Sequence, residues 1–421
     1  MTDIRLKSFI DVSSDSDFSV QNLPYGIFCP KSGGEPRACT AIGGMVLDLS
    51  ILEDSGLIKV TADKKCFSKK SLNCFMSRGL DIWKKARIEI QKIVSGENPS
   101  LKENQRLRKK ALIPMKDVQM CMPVEIGDYT DFYSSKEHAT NVGIMFRGKE
   151  NALMPNWLHL PVAYHGRASS VVISGTHVHR PKGQTKADNE DKPKFEPTRM
   201  LDFELETGFF VGPGNKLGEP IAVGKALDHI FGMVLVNDWS ARDMQKWEYQ
   251  PLGPFLSKNF GTSISPWVVT MEALEPFRIA GPAQNPKPLP YLQSKENCTY
   301  DINLEVKLQT KKLTEPFIIS ISNFKYLYWN MCQQLAHHTV NGCNLKTGDL
   351  LASGTISGQA PDSYGSMLEL TWLGEKPIKL PNGEERKFLQ DGDTIIISGY
   401  CQGNGYRVGF GEVSGKILGT V

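Results

Sequence analysis

The strongest constraint on the fold is an alternation of apolar and acidic residues over positions 201–206, LDFELE. A period of two residues is typical of a strand that buries one face, so the apolar residues should point to the core. The opposite face would then carry three carboxylates: Asp202, Glu204 and Glu206. Because like charges on one face repel, this pattern predicts a neighbouring cation, such as a divalent metal with oxygen ligands. A solvated edge strand is the simpler explanation of an isolated pair of this kind.

Length and charge exclude several classes of protein. A chain of 421 residues has room for about two to three domains, or for one small domain beside a large one. A hydrophobic content of 40% and a charged content of 23% are typical of a globular protein. The net charge is only +3, and the basic cluster at 106–110 is short and contains no aromatic residue. Nucleic acid is therefore not expected as a partner.

Cysteine usage and hydropathy favour the cytosol. Nine cysteines are scattered along the chain without a C-x-x-C motif, which predicts reduced thiols and no structural zinc. The first 20 residues contain no apolar segment of the secretory type, and no run of about 18 apolar residues occurs in the sequence. We therefore expect no membrane partner.

The distribution of apolar residues and glycines predicts a mainly β protein with some α-helix. Two domains are expected, a small β domain with an appended helix over 1–118 and a larger domain over 119–421. Residues 99–118 are charged and then proline-containing, which is typical of a linker. After Pro123 short strands and glycines dominate.

Four local patterns give definite elements. A glycine pair at 43–44 between apolar runs predicts a hairpin. Apolar residues at helical spacing predict one helix over 71–94, stopped by Ser95-Gly96, and another over 323–340. The apolar run 230–236 predicts a buried strand that emerges at Asp238.

Candidate catalytic side chains concentrate in the second domain. His138 has the residue type of a general base, with an ordinary pKa of about 6.5; a structural histidine bonded to a carbonyl is the alternative. Arg147 could bind a substrate carboxylate with two parallel hydrogen bonds, or it could pair with Glu150 at the surface. Glu369 lies in a predicted apolar strand, where its carboxyl group needs a partner such as a histidine unless it faces water.

A second group follows the buried strand. Arg242, Gln245 and Tyr249 come after Asp238 at spacings of three and four, which places them on one face of a helical turn. A purely structural pair of Asp238 with Arg242 is the alternative. Together, the carboxylates of the second domain form an oxygen set that suits Ca²⁺ or Mg²⁺ rather than zinc or copper: Asp131, Glu204, Glu206 and Asp238. A Walker loop, a dinucleotide fingerprint and a nucleophile elbow are all missing from the sequence, so we expect no serine nucleophile.

Longer motifs occur at 17–26 (DFSVQNLPYG), 127–143 (GDYTDFYSSKEHATNVG), 236–243 (VNDWSARD) and 351–358 (LASGTISG). Together with the E-x-E pair they resemble the fumarylacetoacetate hydrolase (fumarylacetoacetase) family of the animal type. The resemblance extends nearly from end to end and is weakest around 56–120, 181–197 and 276–322. It implies a small SH3-like β-barrel domain, followed by a mixed β-sandwich roll of the fumarylacetoacetase type that holds the active site. It also implies a homodimer and a role in cytosolic tyrosine catabolism.

The resemblance assigns roles to residues at matching positions. The implied Ca²⁺ ligands are Asp131, Glu204, Glu206 and Asp238. The implied base is His138, which Glu369 orients. The implied substrate contacts or oxyanion stabilisers are Tyr133, Arg147, Tyr164, Arg242, Gln245, Tyr249, Lys258 and Thr355. Lys258, through its backbone, and Thr262 match a second site in the family, which holds Mg²⁺.

The implied reaction is hydrolysis of the carbon–carbon bond of 4-fumarylacetoacetate to fumarate and acetoacetate. His138 would deprotonate a water that attacks one carbonyl, and the metal would polarise both diketone oxygens. The catalytic set implied by the resemblance is His138, Glu369, Arg242, Gln245 and Lys258. Acylpyruvate hydrolases, oxaloacetate decarboxylases and keto-acid isomerases share the metal carboxylates and remain alternatives. A non-catalytic Ca²⁺-binding scaffold would be favoured if His138 and Glu369 lay far apart.

Overall fold

The structure, a computed structural model, describes residues 6–60 and 65–421. The first five residues of the amino-terminal stretch discussed above lie outside this described part. The α-helices of the described residues are α1 Leu49–Asp54, α2 Asn73–Met76, α3 Leu80–Val94, α4 Pro99–Lys102, α5 Gln105–Ala111, α6 Lys136–Arg147, α7 Arg242–Glu248, α8 Met271–Leu274, α9 Met331–Thr339 and α10 Met367–Leu370.

A small antiparallel sheet forms the amino-terminal part of the fold. Its strands are β1 Tyr25–Pro30, β2 Arg37–Ile42, β3 Met45–Asp48, β4 Leu112–Pro114 and β5 Val118–Cys121, in the order β4-β3-β2-β1-β5. Ile42 pairs with Met45, so the predicted hairpin at 43–44 is confirmed. Gly43 has a φ of 54°, which glycine adopts without steric cost in such a tight turn.

Two larger sheets form the second part of the fold. The eight-stranded sheet consists of β6 Tyr129–Phe132, β7 Ala163–His165, β8 Val171–Ile173, β13 Leu205–Val211, β14 Ile230–Asp238, β16 Thr262–Ile264, β17 Val269–Thr270 and β22 Leu350–Ala352. The five-stranded sheet consists of β9 Val178–His179, β20 Asn303–Gln309, β21 Phe317–Asn323, β25 Thr394–Gln402 and β26 Arg407–Leu418. Four short pairs complete the strands of residues 6–60 and 65–421: β10 Lys182–Thr185 with β11 Lys194–Pro197, β12 Leu201–Asp202 with β15 Ser240–Ala241, β18 Arg278–Ile279 with β19 Thr299–Tyr300, and β23 Ile378–Lys379 with β24 Glu385–Arg386.

The eight-stranded sheet is covered on both faces. Phe209 of β13 packs in a core with residues of the five-stranded sheet, whereas the adjacent Phe210 packs in a core with residues of the amino-terminal part. Successive side chains of a strand point to opposite faces, so a strand in a sheet that is covered on both faces is buried along its whole length. This explains why every residue of β14 is buried, as the apolar run 230–236 predicted.

The acidic strand of the sequence departs from its predicted form. All residues from 201 to 206 are buried, so the expected half-exposed strand is wrong. The strand is interrupted between β12 and β13, because β12 pairs with β15 whereas β13 pairs with β14 and β22. Asp202 is consequently not part of the cluster that Glu204 and Glu206 join, and it contacts Arg242 instead.

Three other sequence-based expectations need correction. The helix expected over 71–94 is two helices, α2 and α3, separated before Gly79, whose φ is 84°. The expected linker at 99–118 instead forms α4, α5, β4 and part of β5, because Leu101 and Ala111 are fully buried in the amino-terminal core. The helix expected over 323–340 begins only at Met331, where Asn330 caps it with Gln333, although its end near residue 340 is confirmed.

The cysteines also differ in part from expectation. Cys66 and Cys74 form a disulfide, so the prediction of reduced thiols is wrong for this pair. Their Cα atoms lie 5.4 Å apart, a distance that a disulfide requires. The other seven cysteines are free. Within the described chain, every helix is too short or too polar to cross a membrane.

Candidate active site

Four buried carboxylates converge from three strands and the loop between β12 and β13. Asp131 lies on β6, Glu206 on β13 and Asp238 at the end of β14, and Glu204 lies in the loop. Each is at most 5% exposed, and each contributes an oxygen within 4.8 Å of an oxygen of every other member. Strand pairing therefore places together four acidic side chains that are up to 107 residues apart in the sequence (131 to 238).

Cationic and hydroxyl groups satisfy part of this acidic cluster. The Lys258 ammonium donates to Glu204 and, at 2.7 Å, to Asp238 Oδ2. The Tyr164 hydroxyl lies 2.8 Å from Asp131 Oδ2 and 3.1 Å from Asp238 Oδ2. Thr262 Oγ1 donates to Asp238 Oδ1 at 2.7 Å. Asp238 thus accepts hydrogen bonds from three side chains. Lys258 connects the end of β14 to the loop between β12 and β13.

A glycine completes the support of the cluster. The Gly354 amide donates to Glu206 Oε2 at 3.0 Å. Gly354 has a φ of 75°, and a Cβ at this position would lie 2.1 Å from the carbonyl oxygen of Phe132. Any other residue would therefore displace the chain from Glu206.

Burial and neighbouring charges perturb the carboxyl groups unequally. Burial, followed by the nearby carboxylates, raises the pKa of Asp131 and of Glu206 well above ordinary values. Burial also acts to raise the pKa of Glu204, but Lys258 and Arg242 outweigh it and hold this pKa low. Two oxygens, Asp131 Oδ1 and Glu206 Oε1, are buried without a hydrogen-bond partner in the described chain. Unpaired buried carboxylate oxygens of this kind fit a hard divalent cation.

His138 and Glu369 form a buried pair at the same pocket. His138 Nδ1 lies 2.7 Å from Glu369 Oε2, and the two side chains are 3% and 0% exposed. Burial acts to raise the pKa of Glu369, but His138, Asn141 and Ser366 outweigh it, so the pKa is lowered. An ionised Glu369 fixes the proton of His138 on Nδ1 and leaves Nε2 as the basic nitrogen.

The local chain explains how this pair is held. The Ser135 hydroxyl caps α6 by accepting the amide of His138 at 3.2 Å, which fixes the start of the helix. Glu369 lies in α10 and not in the strand that the sequence predicted. Its Oε2 also accepts the Ser357 hydroxyl at 2.9 Å, and its Oε1 accepts the Asn141 amide at 3.0 Å.

A cavity of about 320 Å³ connects these groups. Eleven of the fifteen candidate site residues line it: Asp131, Tyr133, His138, Arg147, Tyr164, Glu204, Arg242, Gln245, Tyr249, Lys258 and Thr355. The other four are not among the described lining residues: Glu206, Asp238, Thr262 and Glu369. Glu206, Asp238 and Glu369 each bond a residue of the lining, and Thr262 bonds Asp238. Grooves of about 600 and 950 Å³ occur elsewhere, but their described lining residues include no member of the acidic cluster.

Arg242 and Arg147 both line the cavity, one from the start of α7 and the other from the end of α6. Arg242 begins α7, as the helical spacing predicted, and its Nη1 lies 2.7 Å from Glu204 Oε1 and 3.0 Å from Gln245 Oε1. Its Nη2 is buried and has no partner in the described chain. Arg147 ends α6, where it donates to the carbonyl oxygens of Asn151 and Ala152.

Sequence reasoning missed several residues of the site. Asn141 lies three positions after His138 on α6, so helical spacing alone could have placed it beside the histidine. Asp202 was assigned to the acidic face but instead contacts Arg242. Ser357 and Ser366, which bond Glu369, had no sequence signal beyond the motif that contains Ser357.

Family models match both parts of the chain. The model described as "Fumarylacetoacetate (FAA) hydrolase C-terminal" matches residues 129–417. The model described as "Fumarylacetoacetase N-terminal" matches residues 21–123.

Full-length relatives have the same description. The chain is 58% identical over 418 residues to "Fumarylacetoacetase" of Dictyostelium discoideum and 58% identical over 413 residues to "Fumarylacetoacetase" of Homo sapiens. It is 57% identical over 415 residues to "Fumarylacetoacetase" of Arabidopsis thaliana. Each alignment covers 98% of this chain and 98% of the relative.

Solved structures share the fold at low sequence identity. The chain resembles a "Fumarylacetoacetate hydrolase" from psychrophilic Exiguobacterium antarcticum with a TM-score of 0.54 and 16% identity, over 94% of this chain and 99% of the other. It resembles a structure described as "Cg1458 with inhibitor" with a TM-score of 0.52 and 13% identity, over the same shares of the two chains. At these identities the likeness concerns the fold alone, and it confirms the predicted small β domain followed by a mixed β roll.

Proposed function

The chain belongs to the fumarylacetoacetate hydrolase family, and on that premise we propose that the cavity between His138 and the acidic cluster is its active site. Its activity is that of a fumarylacetoacetase, the hydrolysis of 4-fumarylacetoacetate to fumarate and acetoacetate in tyrosine catabolism. The observation that carries the assignment of the site is the His138–Glu369 pair, at 2.7 Å, on the wall of the cavity that also contains Asp131 and Glu204.

His138 is the proposed general base. With its Nδ1 proton directed to Glu369, its Nε2 takes a proton from a water molecule in the cavity, and the resulting hydroxide attacks a substrate carbonyl. Glu369 stabilises the imidazolium that forms, because it is ionised and fully buried beside the ring. Asn141, Ser357 and Ser366 keep this carboxylate in place.

Collapse of the tetrahedral adduct breaks the carbon–carbon bond and releases a carbanion, so its stabilisation as an enolate is the second requirement. The enolate then takes a proton, which restores neutral His138 and gives acetoacetate. We assign the stabilisation of the enolate to Arg242, Gln245 and Lys258, which line one cavity and present their polar groups together. The proposed substrate contacts are Tyr133, Arg147, Tyr164, Arg242, Gln245, Tyr249 and Thr355. Arg147 and the two tyrosines 133 and 249 would bind the terminal carboxylates of the substrate.

The acidic cluster is the proposed site of Ca²⁺. The partnerless oxygens of Asp131 and Glu206 fit this ion, and Glu204 and Asp238 complete the oxygen set. When bound, a divalent cation supplies a Lewis acid that polarises the diketone oxygens. Mg²⁺ is proposed as a substitute or as the ion of a second site at Lys258 and Thr262, which line a neighbouring cavity of about 180 Å³ together with Asp238.

Substrate choice tests the proposed function. The purified chain should release fumarate from fumarylacetoacetate with a kcat/KM at least about 100-fold above that for an acylpyruvate, because binding energy at both ends of the substrate contributes to the transition state. The rate of product release from each of the two substrates, measured at equal enzyme concentration, tests this expectation. Faster turnover of the acylpyruvate would contradict the assignment.

Glu206→Gln should weaken divalent-ion binding by at least about 10-fold, because it removes one charge from the oxygen set. Calorimetric titration with Ca²⁺ measures this change. Glu137→Gln is a suitable control, because Glu137 lies on α6 outside the acidic cluster.

Removal of the metal tests the role of the ion directly. EDTA should abolish turnover, and added Ca²⁺ should restore it. Activity that survives complete removal of the metal would contradict the role of the ion.

The remaining proposals concern assembly and location. We propose a homodimer, supported by the exposed apolar side chains Leu252, Phe255 and Leu256, of which Leu252 also lines the cavity. We also propose a cytosolic location, supported by the seven free cysteines. The proposed domains are 1–118 and 119–421, with β5 at the division. Analytical ultracentrifugation tests the dimer.

A further inference from the structure

Asp202 is a buried carboxylate that the reaction described above does not use. Its residue is 0% exposed, although it was expected to share a face with Glu204 and Glu206. It is not a member of the acidic cluster. Instead, its carboxylate accepts hydrogen bonds from two separate parts of the active site, Arg242 and α10.

One side of Asp202 holds Arg242. Asp202 Oδ2 accepts the Arg242 Nε–H at 2.8 Å. Glu204 and Gln245 engage Nη1 of the same guanidinium, so the three contacts together fix its plane. The partnerless Nη2 is consequently held in one orientation at the cavity. Without Asp202, two of these three contacts would remain, and they act on a single nitrogen.

The other side of Asp202 holds α10, the turn that carries Glu369. Asp202 Oδ1 accepts the Met367 amide at 2.7 Å, and Oδ2 accepts the Leu368 amide at 3.1 Å. These amides belong to the first turn of α10, where backbone donors have no partner within the helix. The Phe203 amide also donates to Oδ1, at 2.8 Å. Asp202 therefore fixes the turn from which Glu369 reaches His138.

We propose that Asp202 is a positioning residue that couples the two halves of the active site, by holding Arg242 and the Glu369 turn with one carboxylate. The proposal rests on the proposed function, in which Arg242 stabilises the enolate and Glu369 orients the base His138. A side-chain amide cannot replace this carboxylate. One end of an asparagine would place N–H groups against the N–H donors of Arg242 and Leu368, or of Met367 and Phe203.

Asp202→Asn tests the coupling, and Asp48→Asn is its matched control. Asp48 is also 0% exposed, caps α1 through the amides of Ser50 and Ile51, and pairs with Arg37 Nε at 2.6 Å. It therefore has the same structural task in the amino-terminal part, away from the described lining of the active-site cavity. Both variants should lose thermal stability. A loss of turnover that occurs only in Asp202→Asn would therefore come from the position of the active-site groups and not from weakened folding.

The expected result is a fall of about 100-fold in kcat and in kcat/KM for Asp202→Asn, the size typical of losing one preorganised donor. Asp48→Asn should remain within about 2-fold of wild type in both parameters. The kinetic parameters of both variants are measured well below their melting temperatures, and circular dichroism gives the folded fraction of each. Equal kcat in the two variants would overturn the coupling while leaving the proposed function intact. An inactive wild-type chain would overturn both.

A second pair of variants serves if Asp202→Asn does not fold. Met367 is the first residue of α10, where proline is compatible with a helix but removes the amide that Asp202 accepts. Met367→Ala loses the same side chain and keeps the amide. We expect Met367→Pro to have a kcat at least about 10-fold below that of Met367→Ala, since only the proline removes the shorter of the two hydrogen bonds from α10 to Asp202. The same kcat in both would overturn the proposal.

Discussion

Replacing His138 with alanine is expected to lower kcat by about 10³-fold, because positioned general bases contribute about 10²–10⁴-fold to proton-transfer steps. His138 is the residue that Glu369 orients at 2.7 Å, and the described lining of the cavity contains no other histidine. The variant should still bind the divalent ion, since the histidine is not one of the four clustered carboxylates. Fumarate release measures kcat, and elemental analysis measures the bound metal.

His229→Ala is the control for this substitution. His229 bonds the carbonyl oxygen of Pro213 at 2.7 Å and does not line the cavity, so its loss should leave kcat within about 2-fold of wild type. A near-normal kcat for His138→Ala would contradict its role as base. A loss of metal together with activity would show that His138 supports the acidic cluster instead.

Local sequence patterns predicted single elements well where one interaction decides the structure. The apolar run 230–236 became a strand buried on both faces, and the glycine pair at 43–44 became a hairpin. Patterns were less reliable where tertiary contacts decide. Residues 99–118 are polar enough to be typical of a linker, yet a few buried side chains, such as Leu101 and Ala111, fix them to the amino-terminal core. A segment rich in charged residues can therefore still be fixed to a core by a few buried side chains.

The acidic segment shows the limit of reasoning from periodicity. Alternation correctly selected Glu204 and Glu206 as neighbours in an oxygen cluster, but it also included Asp202. Periodicity assumes a continuous strand, whereas the chain changes its pairing partner between β12 and β13. That change depends on β15 and β22, which are distant in sequence, so the segment itself contains no signal for it.

The partners of Glu369 show the same limit at longer range. The need of a buried carboxyl group for a partner was evident from the sequence, and a histidine was a candidate. His138 and Glu369 are 231 residues apart, so their proximity follows only from the complete topology. The apolar residues around Glu369 suggested a strand, but the Ser366 cap and the Asp202 acceptor instead stabilise a short helix.

Arg242→Met is expected to lower kcat/KM by about 10²–10³-fold and to destabilise the fold by about 3–5 kcal/mol. The first effect follows from losing a donor to the enolate. The second follows because Asp202 and Glu204, both buried, would each lose a cationic partner. Steady-state kinetics with fumarylacetoacetate and unfolding in urea measure the two effects separately.

Arg386→Met separates catalysis from stability. Arg386 is also buried and donates to both oxygens of Asp393, at 2.9 and 3.1 Å, but it does not line the cavity. Both variants should therefore lose stability, because each leaves at least one buried carboxylate without its guanidinium. Only Arg242→Met should lose activity in its folded fraction. Equal losses of kcat/KM would contradict the assignment of Arg242 to the enolate, because the shared defect would then be the loss of a buried ion pair.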